Sequence, residues 1–565
     1  MRSGGHLLAD QLAVHGVDLA FCVPGESYLA LLDGLYERRD AIRVVTCRHE
    51  AAAANAAEAY GKLTGRPGVC LVTRGPGSTH AATGVHTAMQ DSTPLVLLVG
   101  QVPRGERGRE GFQELDYEKV FGPMAKWAFQ VDDADRLPEL VGRAFATATS
   151  GRPGPVVLAL PEDVLSASTD APDAAPYHAV VPAPDPAAMA ALHERLERAE
   201  RPVVLVGGGP WDVLASERLA AWAVAGDLPV AASFRRQDAV DNSAACYVGH
   251  LGIGPDPALR ALVDEADLLV AVGTRLTEIE TQGYTLPAPG PPDPARFLVH
   301  VHPSAEELGR VHHPDLPILA GVRSFAAALV ALGLLDSGRW AARTRAARQA
   351  YEAFLEPLPA PAMGVDLAAA ARHLRDGLPE DAVVTNGAGN HTQWVNRYHV
   401  YRTPGTQLAP QSGAMGYSVP AALAAKLVHP ERVVLAWSGD GEFQMCGQEL
   451  ATAAQEGLGI VVVIVNNGTL GTIRMHQELR FPDRVMATDI TGPDFAALAR
   501  AYGAHAERVE RAGDFPEALA RAVAHAGEHA GPALVELVAD PEALTPRASL
   551  SEIRAEGERE RASSG

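Results

Sequence analysis

The reading of this chain turns on two segments, Val433-Val434-Leu435-Ala436-Trp437-Ser438-Gly439-Asp440-Gly441 and, after a further twenty-four residues, Asn466-Asn467. An apolar run precedes each: Val433–Trp437 the first, Ile460–Val465 the second. Short apolar runs rich in Val and Ile read as buried strands. The polar residues then stand at the C-terminal ends of neighbouring strands, where open α/β sheets bind ligands. Mg²⁺ takes hard oxygen ligands in an octahedron and leaves positions for phosphate and water. Asp440 offers a carboxylate oxygen, Asn467 an amide oxygen and Thr469, just beyond, a backbone carbonyl. Gly439 and Gly441 let the backbone approach a diphosphate. A lone Gly-Asp-Gly is most often a turn; the spaced pair on two strand ends points to metal and diphosphate.

Outward from this core, β-type runs alternate with Ala/Leu-rich helical stretches, the pattern of parallel sheets. At roughly 100–200 residues per domain, the 565 residues allow about three. The divisions expected are 1–167, 186–335 and 360–545, with 546–565 a flexible tail or lid. Strands are expected at Leu19–Val23, Val44–Thr46, Gly68–Thr73, Leu95–Gly100 and Pro155–Leu160 in the first block. The second carries Pro202–Val206, Leu228–Ala232, Leu268–Val272 and Phe297–Val301; the third carries Ala382–Asn386, Arg432–Ala436 and Gly459–Val465. Ser168–Pro184 reads as a linker, and Arg339–Leu358 as a helical connector ending in prolines.

Composition narrows the function. Hydrophobic residues at 47% and charged residues at 21% support large cores. A net charge of -21 argues against a nucleic-acid partner. The five cysteines, Cys22, Cys47, Cys70, Cys246 and Cys446, form no CxxC pair, so a reducing cytoplasm is the expected location. The N-terminal MRSGGHLLADQLAVHG reads as an amphipathic helix and lacks a signal-peptide h-region. The run Val461–Val465 is too short to span a bilayer, so no membrane association is expected.

The Gly-Asp-Gly…Asn-Asn pair resembles the signature of thiamin-diphosphate (ThDP) dependent enzymes. From Gly5 to Val538 the chain resembles the catalytic subunits of acetolactate synthases (acetohydroxyacid synthases). The resemblance implies three Rossmann-like α/β domains with parallel sheets, termed PYR, central and PP. It also implies ThDP and Mg²⁺ as cofactors, and a homodimer or homotetramer with active sites between subunits.

Arg48-His49-Glu50-Ala51 follows a strand and opens the helix expected at Ala51–Leu63. Alone, Glu50 would be a first-turn acid favoured by the helix dipole. The resemblance implies that it bonds N1′ of the aminopyrimidine, so that the 4′ nitrogen takes the proton from thiazolium C2. In Gly413-Ala414-Met415-Gly416-Tyr417 the resemblance places Met415 between the cofactor rings; alone it would be a gap-filling core residue. Pro24-Gly25 and Thr73 lie in tight loops of the PYR block. Phe112-Gln113 resembles a segment near the reaction centre. Gly389-Asn390-His391 aligns with a Gly-Gln-His that holds the diphosphate. Gly471 and Thr472 continue the frame after Asn467. His476 stands where the family has a Trp that helps choose the acceptor, so it is a candidate acid–base residue with an altered pocket around it.

The middle block resembles an FAD-binding domain through Gly207-Gly208-Gly209 and Gly273-Thr274-Arg275. It departs at Thr277-Glu278-Ile279, His300-Val301-His302-Pro303-Ser304 and Gly252-Ile253-Gly254-Pro255. FAD, ADP and a vestigial, empty domain all remain open.

The activity implied is acetolactate-synthase-like carboligation: decarboxylation of a 2-keto acid and transfer of the acyl anion equivalent to a second carbonyl. The alternatives are a non-oxidative 2-keto acid decarboxylase, a 2-hydroxyacyl-CoA or oxalyl-CoA lyase, and a non-catalytic ThDP-binding regulator.

Overall fold

The computed structural model describes residues 1–290, 293–333, 335, 337–357 and 363–564. Three six-stranded sheets, each wholly parallel, carry the fold. The first contains β2 (Leu19–Cys22), β3 (Arg43–Thr46), β4 (Gly68–Val72), β5 (Leu95–Gln101), β6 (Trp127–Gln130) and β7 (Pro155–Pro161), in the order β3-β2-β4-β5-β7-β6. A small antiparallel pair, β1 (Arg2–Ser3) with β8 (Ser168–Thr169), stands beside it, so part of the expected linker is a strand. The second sheet contains β9 (Pro202–Val206), β10 (Val230–Ala232), β11 (Tyr247–His250), β12 (Leu268–Val272), β13 (Phe297–His302) and β14 (Leu316–Leu319), in the order β11-β10-β9-β12-β13-β14. The third contains β15 (Val383–Asn386), β16 (Gln407–Leu408), β17 (Val434–Gly439), β18 (Val461–Asn466), β19 (His505–Val509) and β20 (Ala533–Val538), in the order β16-β15-β17-β18-β20-β19.

Sheets one and three thus repeat one strand order, while the second is wound differently. In each, the chain leaves its first strand to one side and later crosses to the other. The crevice where the order reverses, beyond the strands' carboxyl ends, is where such sheets take ligands. It falls between β2 and β4, between β9 and β12, and between β15 and β17. The central strands are buried on both faces, β5 and β7 along their whole length. This explains their continuous apolar runs.

The chain forms two compact units. The first is residues 1–180 with 410–430 and 446–458; the second is 181–409, 431–445 and 459–565. In the first unit the Glu50–Thr64 helix is buried from Ala52 to Gly61 without a break. Its alanines accommodate neighbours on every side, among them the Pro76–Asp91 and Ser418–Val428 helices. At Gly84 a Cβ would stand 2.4 Å from that of Ala54, which shows how closely two of these helices approach.

In the second unit, Leu550–Ser564, within the expected tail or lid, is a helix. Leu550 and Ile553 are buried with Leu544 against Met475 and Leu479. The connector is a helix over Ala341–Phe354. Leu358 and the prolines after it at 359 and 361 lie outside the described residues. Among the described residues no helix is long and apolar enough to cross a membrane.

Candidate active site

The metal and diphosphate residues lie in the second unit, at the crevice between β15 and β17. Asp440 follows β17 and Asn467 follows β18, the adjacent parallel strand. Asp440 is 4% exposed. Its Oδ1 accepts the Gly441 N–H at 2.8 Å, and its Oδ2 accepts the Gly468 N–H at 2.8 Å. Burial holds its carboxyl above the usual range despite those two bonds. Such a desolvated carboxylate is suited to a cation. Asn467 Oδ1 accepts the Thr469 N–H at 3.2 Å, and the Thr469 hydroxyl donates to the Thr488 carbonyl at 3.0 Å, which fixes this loop.

The opposite wall follows β15. Gly389 has φ +137°, a conformation that favours glycine. His391 donates through Nε2 to the buried Glu442 carboxylate at 3.1 Å, and its carbonyl accepts the Trp437 indole N–H at 2.9 Å. A Cβ at Gly439 would stand 2.7 Å from His391 Nδ1, and one at Gly387 1.9 Å from Glu442 Oε1. The two strand-end loops therefore meet only because these positions are glycine. Asn390 Oδ1 accepts from Gln393 Nε2 and from the Thr472 hydroxyl, each at 3.0 Å. The shorter stem of Asn390 is thus tied to Thr472 on the Gly471–Arg480 helix. Gly471 opens that helix, with space for a Cβ blocked by Leu544 at 2.8 Å. His476 is exposed on the same helix.

The first unit holds the other residues, at the crevice between β2 and β4. Gly25, after Pro24, faces Thr73: a Cβ there would stand 2.4 Å from Thr73 Cβ. Glu50 is the first residue of its helix, and the preceding His49 caps that helix by accepting the Ala51 N–H through Nδ1 at 3.1 Å. The Glu50 side chain is 13% exposed, with Oε2 bonded to His80 Nδ1 at 2.9 Å. Oε1 faces Gly77, where a Cβ would stand 3.3 Å from it.

Phe112 is 73% exposed. Gln113 has φ +66°, and among the described residues its buried side-chain oxygen has no hydrogen-bond partner. An orphaned acceptor of this kind calls for a donor. Glu114 secures the loop by accepting N–H groups of Gly108 at 2.6 Å and Gly111 at 3.1 Å. The bond from Gly108 holds that carboxyl below the usual range.

Met415 is half-buried in a loop flanked by Gly413 (φ +69°) and Gly416 (φ +80°). A buried charge cluster anchors this loop. Asp91 accepts the N–H groups of Gln411 at 3.0 Å and Ser412 at 3.3 Å. Tyr417 donates to Glu58 at 2.5 Å. Lys62 lies between Glu58, at 3.2 Å, and Asp91. Burial raises the Glu58 carboxyl, with Lys62 opposing it.

The model of the N-terminal TPP binding domain of thiamine pyrophosphate enzymes matches residues 2–120. The central-domain model matches 189–329, and that of the C-terminal TPP binding domain matches 387–537. The chain is 35% identical over 517 residues to the acetolactate synthase large subunit of Parasynechococcus marenigrum, covering 89% of this chain and 82% of that one. It is 32% identical over 554 residues to an acetolactate synthase of Arthrospira platensis, covering 93% of each.

The chain belongs to the acetolactate synthase family of thiamine pyrophosphate enzymes. It is therefore a ThDP-dependent enzyme of the acetolactate-synthase type, and the family resemblance read from Asp440 and Asn467 is borne out. Within this family's frame, sequence reasoning missed three groups. His80 reaches Glu50 from a different helix, and Glu58, Lys62 and Asp91 support the Met415 loop. Glu449 is fully buried, with burial raising its carboxyl, and accepts the Arg48 N–H at 2.9 Å beside the Glu50 helix. None has a local motif. For Glu58 and Lys62 the available signal was their place in the Ala-rich Glu50–Thr64 helix; His80, Asp91 and Glu449 had none.

Proposed function

We propose that this chain is an Mg²⁺- and ThDP-dependent carboligase, which decarboxylates a 2-keto acid and joins the retained acyl unit to a second carbonyl. The observation that carries it is Asp440, a buried carboxylate at a strand end whose oxygens accept from the backbone N–H groups of Gly441 and Gly468. Asp440, Asn467 and the Thr469 carbonyl would hold Mg²⁺, and the metal would neutralise the diphosphate. Gly439, Gly441, Gly389, Asn390, His391, Gly471 and Thr472 would line the diphosphate. Bound ThDP supplies the thiazolium that serves as electron sink.

The protein's own part is orientation and proton handling. Glu50 would exchange a proton with the cofactor ring through its carboxyl. Met415, on its anchored loop, is the apolar wedge. Gln113 Oε1 offers a buried acceptor to cofactor or substrate, and Phe112 and Pro24-Gly25 with Thr73 complete the apolar wall. His476, smaller than an indole and ionisable, would face the acceptor. FAD and ADP stay outside the proposed chemistry. In the central domain the two glycine loops close on each other, so that a Cβ at Gly208 would stand 2.0 Å from the Gly273 carbonyl.

We also assign residues 1–167, 186–335 and 360–545 to the PYR, central and PP domains. A homodimer or homotetramer is supported by exposed apolar side chains, among them Phe112, Ile473 at 51% and Met486 at 76%. A cytoplasmic location is supported by five free, buried cysteines.

The test is incubation with ThDP, Mg²⁺ and pyruvate, with Glu50→Gln alongside. Acetolactate that falls at least about a hundredfold in the variant is the expected outcome. Acetaldehyde and CO₂ without a joined product would replace this reading with a simple decarboxylase.

A further inference from the structure

We propose that His80 is a positioning residue for the Glu50 carboxylate: it holds Oε2, so that Oε1 is the oxygen turned toward the cofactor ring. This rests on the reading of Glu50 given above.

Four observations carry it. His80 Nδ1 lies 2.9 Å from Glu50 Oε2. A carboxylate only accepts, so the ring donates from Nδ1. The His49 ring stacks on that of His80, with centroids 4.6 Å apart and planes at 28°. His49 is itself held by its cap to the Ala51 N–H. A chain of constraints therefore runs from the helix N-terminus through two stacked imidazoles to one carboxylate oxygen. The other oxygen faces Gly77, which has no side chain to cover it.

A metal site is the competing reading of the same three side chains, whose ligand atoms lie within 4.8 Å of one another. The ring geometry argues against it. Imidazole lone pairs lie in the ring plane, and two stacked rings aim them poorly at one ion. The His49 Nδ1 lone pair is also already engaged by the cap. The structure thus favours a hydrogen-bond relay over chelation. Half of the His80 side chain is exposed, so the relay also links a 13% exposed carboxylate to solvent.

The experiment uses the full-length protein with ThDP and Mg²⁺, without substrate. It measures exchange of the cofactor's C2 proton into D₂O by acid quench and NMR. In parallel, the Hδ1 resonance of His80 is followed in the cofactor-free protein labelled at histidine. His80→Leu should slow C2 exchange by about tenfold to a hundredfold, the range for loss of a hydrogen bond to a charged group. His80→Asn, whose amide N–H can reach the same oxygen, should recover most of that loss. Glu50→Gln should move the His80 Hδ1 resonance and His80→Leu should abolish it.

Unchanged exchange in His80→Leu, alongside collapsed exchange in Glu50→Gln, would overturn the role of His80 and leave that of Glu50 standing. Unchanged exchange in Glu50→Gln would overturn the reading of Glu50 itself. Equal loss in the Asn and Leu variants would mean that the ring acts through packing and not through its donor, which also overturns the proposal. Tight stoichiometric binding of Zn²⁺ to the cofactor-free protein, lost in His80→Asn, would establish the chelate instead.

Discussion

At the scale of single residues, the site pairs costly burials with specific partners. Asp440 is desolvated yet accepts from two backbone N–H groups, an arrangement suited to a cation. Asp440→Asn keeps the shape and removes the charge. Cofactor affinity, followed by quenching of tryptophan fluorescence on titration with ThDP and Mg²⁺, should fall by about a hundredfold or more, at or beyond the upper end of an outer-shell change. Asp440 and Asn467 were legible in sequence because each sits directly after its own strand. The loop rule and the metal chemistry are both local there. Glu50 was placed through resemblance, since a first-turn acid has an ordinary explanation. His80 was not legible at all, because its bond to Glu50 joins two helices across thirty residues.

At the scale of elements, the Gly471–Arg480 and Leu550–Ser564 helices are locked by one carboxylate. Glu478 is fully buried and accepts Arg474 at 3.0 Å and Arg554 at 2.7 Å and 3.0 Å. The Arg554 bonds, foremost, hold its carboxyl down to about 2. A depressed carboxyl stabilises the folded state fully above its ordinary range, here 4.5, and loses that contribution as the pH falls toward about 2. The hold of Glu478 on the terminal helix should therefore weaken progressively between about pH 4.5 and about pH 2. At neutral pH, Arg554→Leu should raise hydrogen exchange across 550–564 by the equivalent of about 1–3 kcal/mol of local stability.

Composition had suggested a flexible tail or lid here. The Leu550–Ser564 segment buries little apolar surface of its own, although Ser549 and Glu552 cap its start reciprocally: the Ser549 hydroxyl accepts the Glu552 N–H at 3.2 Å and Glu552 Oε2 accepts the Ser549 N–H at 2.8 Å. What orders it is a distant salt bridge and three apolar side chains, none of which periodicity can reveal. The missed strands β6, β11, β14, β16, β19 and β20 are similar. Several are short or lie at a sheet edge, where only one face must be apolar. The well-read strands β5, β9 and β12 are buried on both faces.

At the scale of the whole molecule, the first unit is assembled from three stretches of chain, 1–180, 410–430 and 446–458. A fragment of residues 1–180 should therefore fail to reach a native fold on its own. It lacks the Ser418–Val428 helix that packs on the buried Glu50–Thr64 helix, and it lacks Tyr417 over Glu58. Broad thermal unfolding and aggregation on gel filtration are expected, and a sharp, reversible melt of this fragment would count against the assignment. Within the cluster, Lys62→Met would leave Glu58 and Asp91 buried without their cation. That should cost about 3–5 kcal/mol in denaturant unfolding of the full chain. The same discontinuity sets a schedule for biosynthesis. The alanine-faced helix leaves the ribosome roughly 350 residues before its partner, a delay on the order of tens of seconds at about 5–20 residues per second. During that interval the face that the Ser418–Val428 helix later covers has no partner from its own chain, so nascent chains stalled before residue 410 should be enriched on ribosome-associated chaperones.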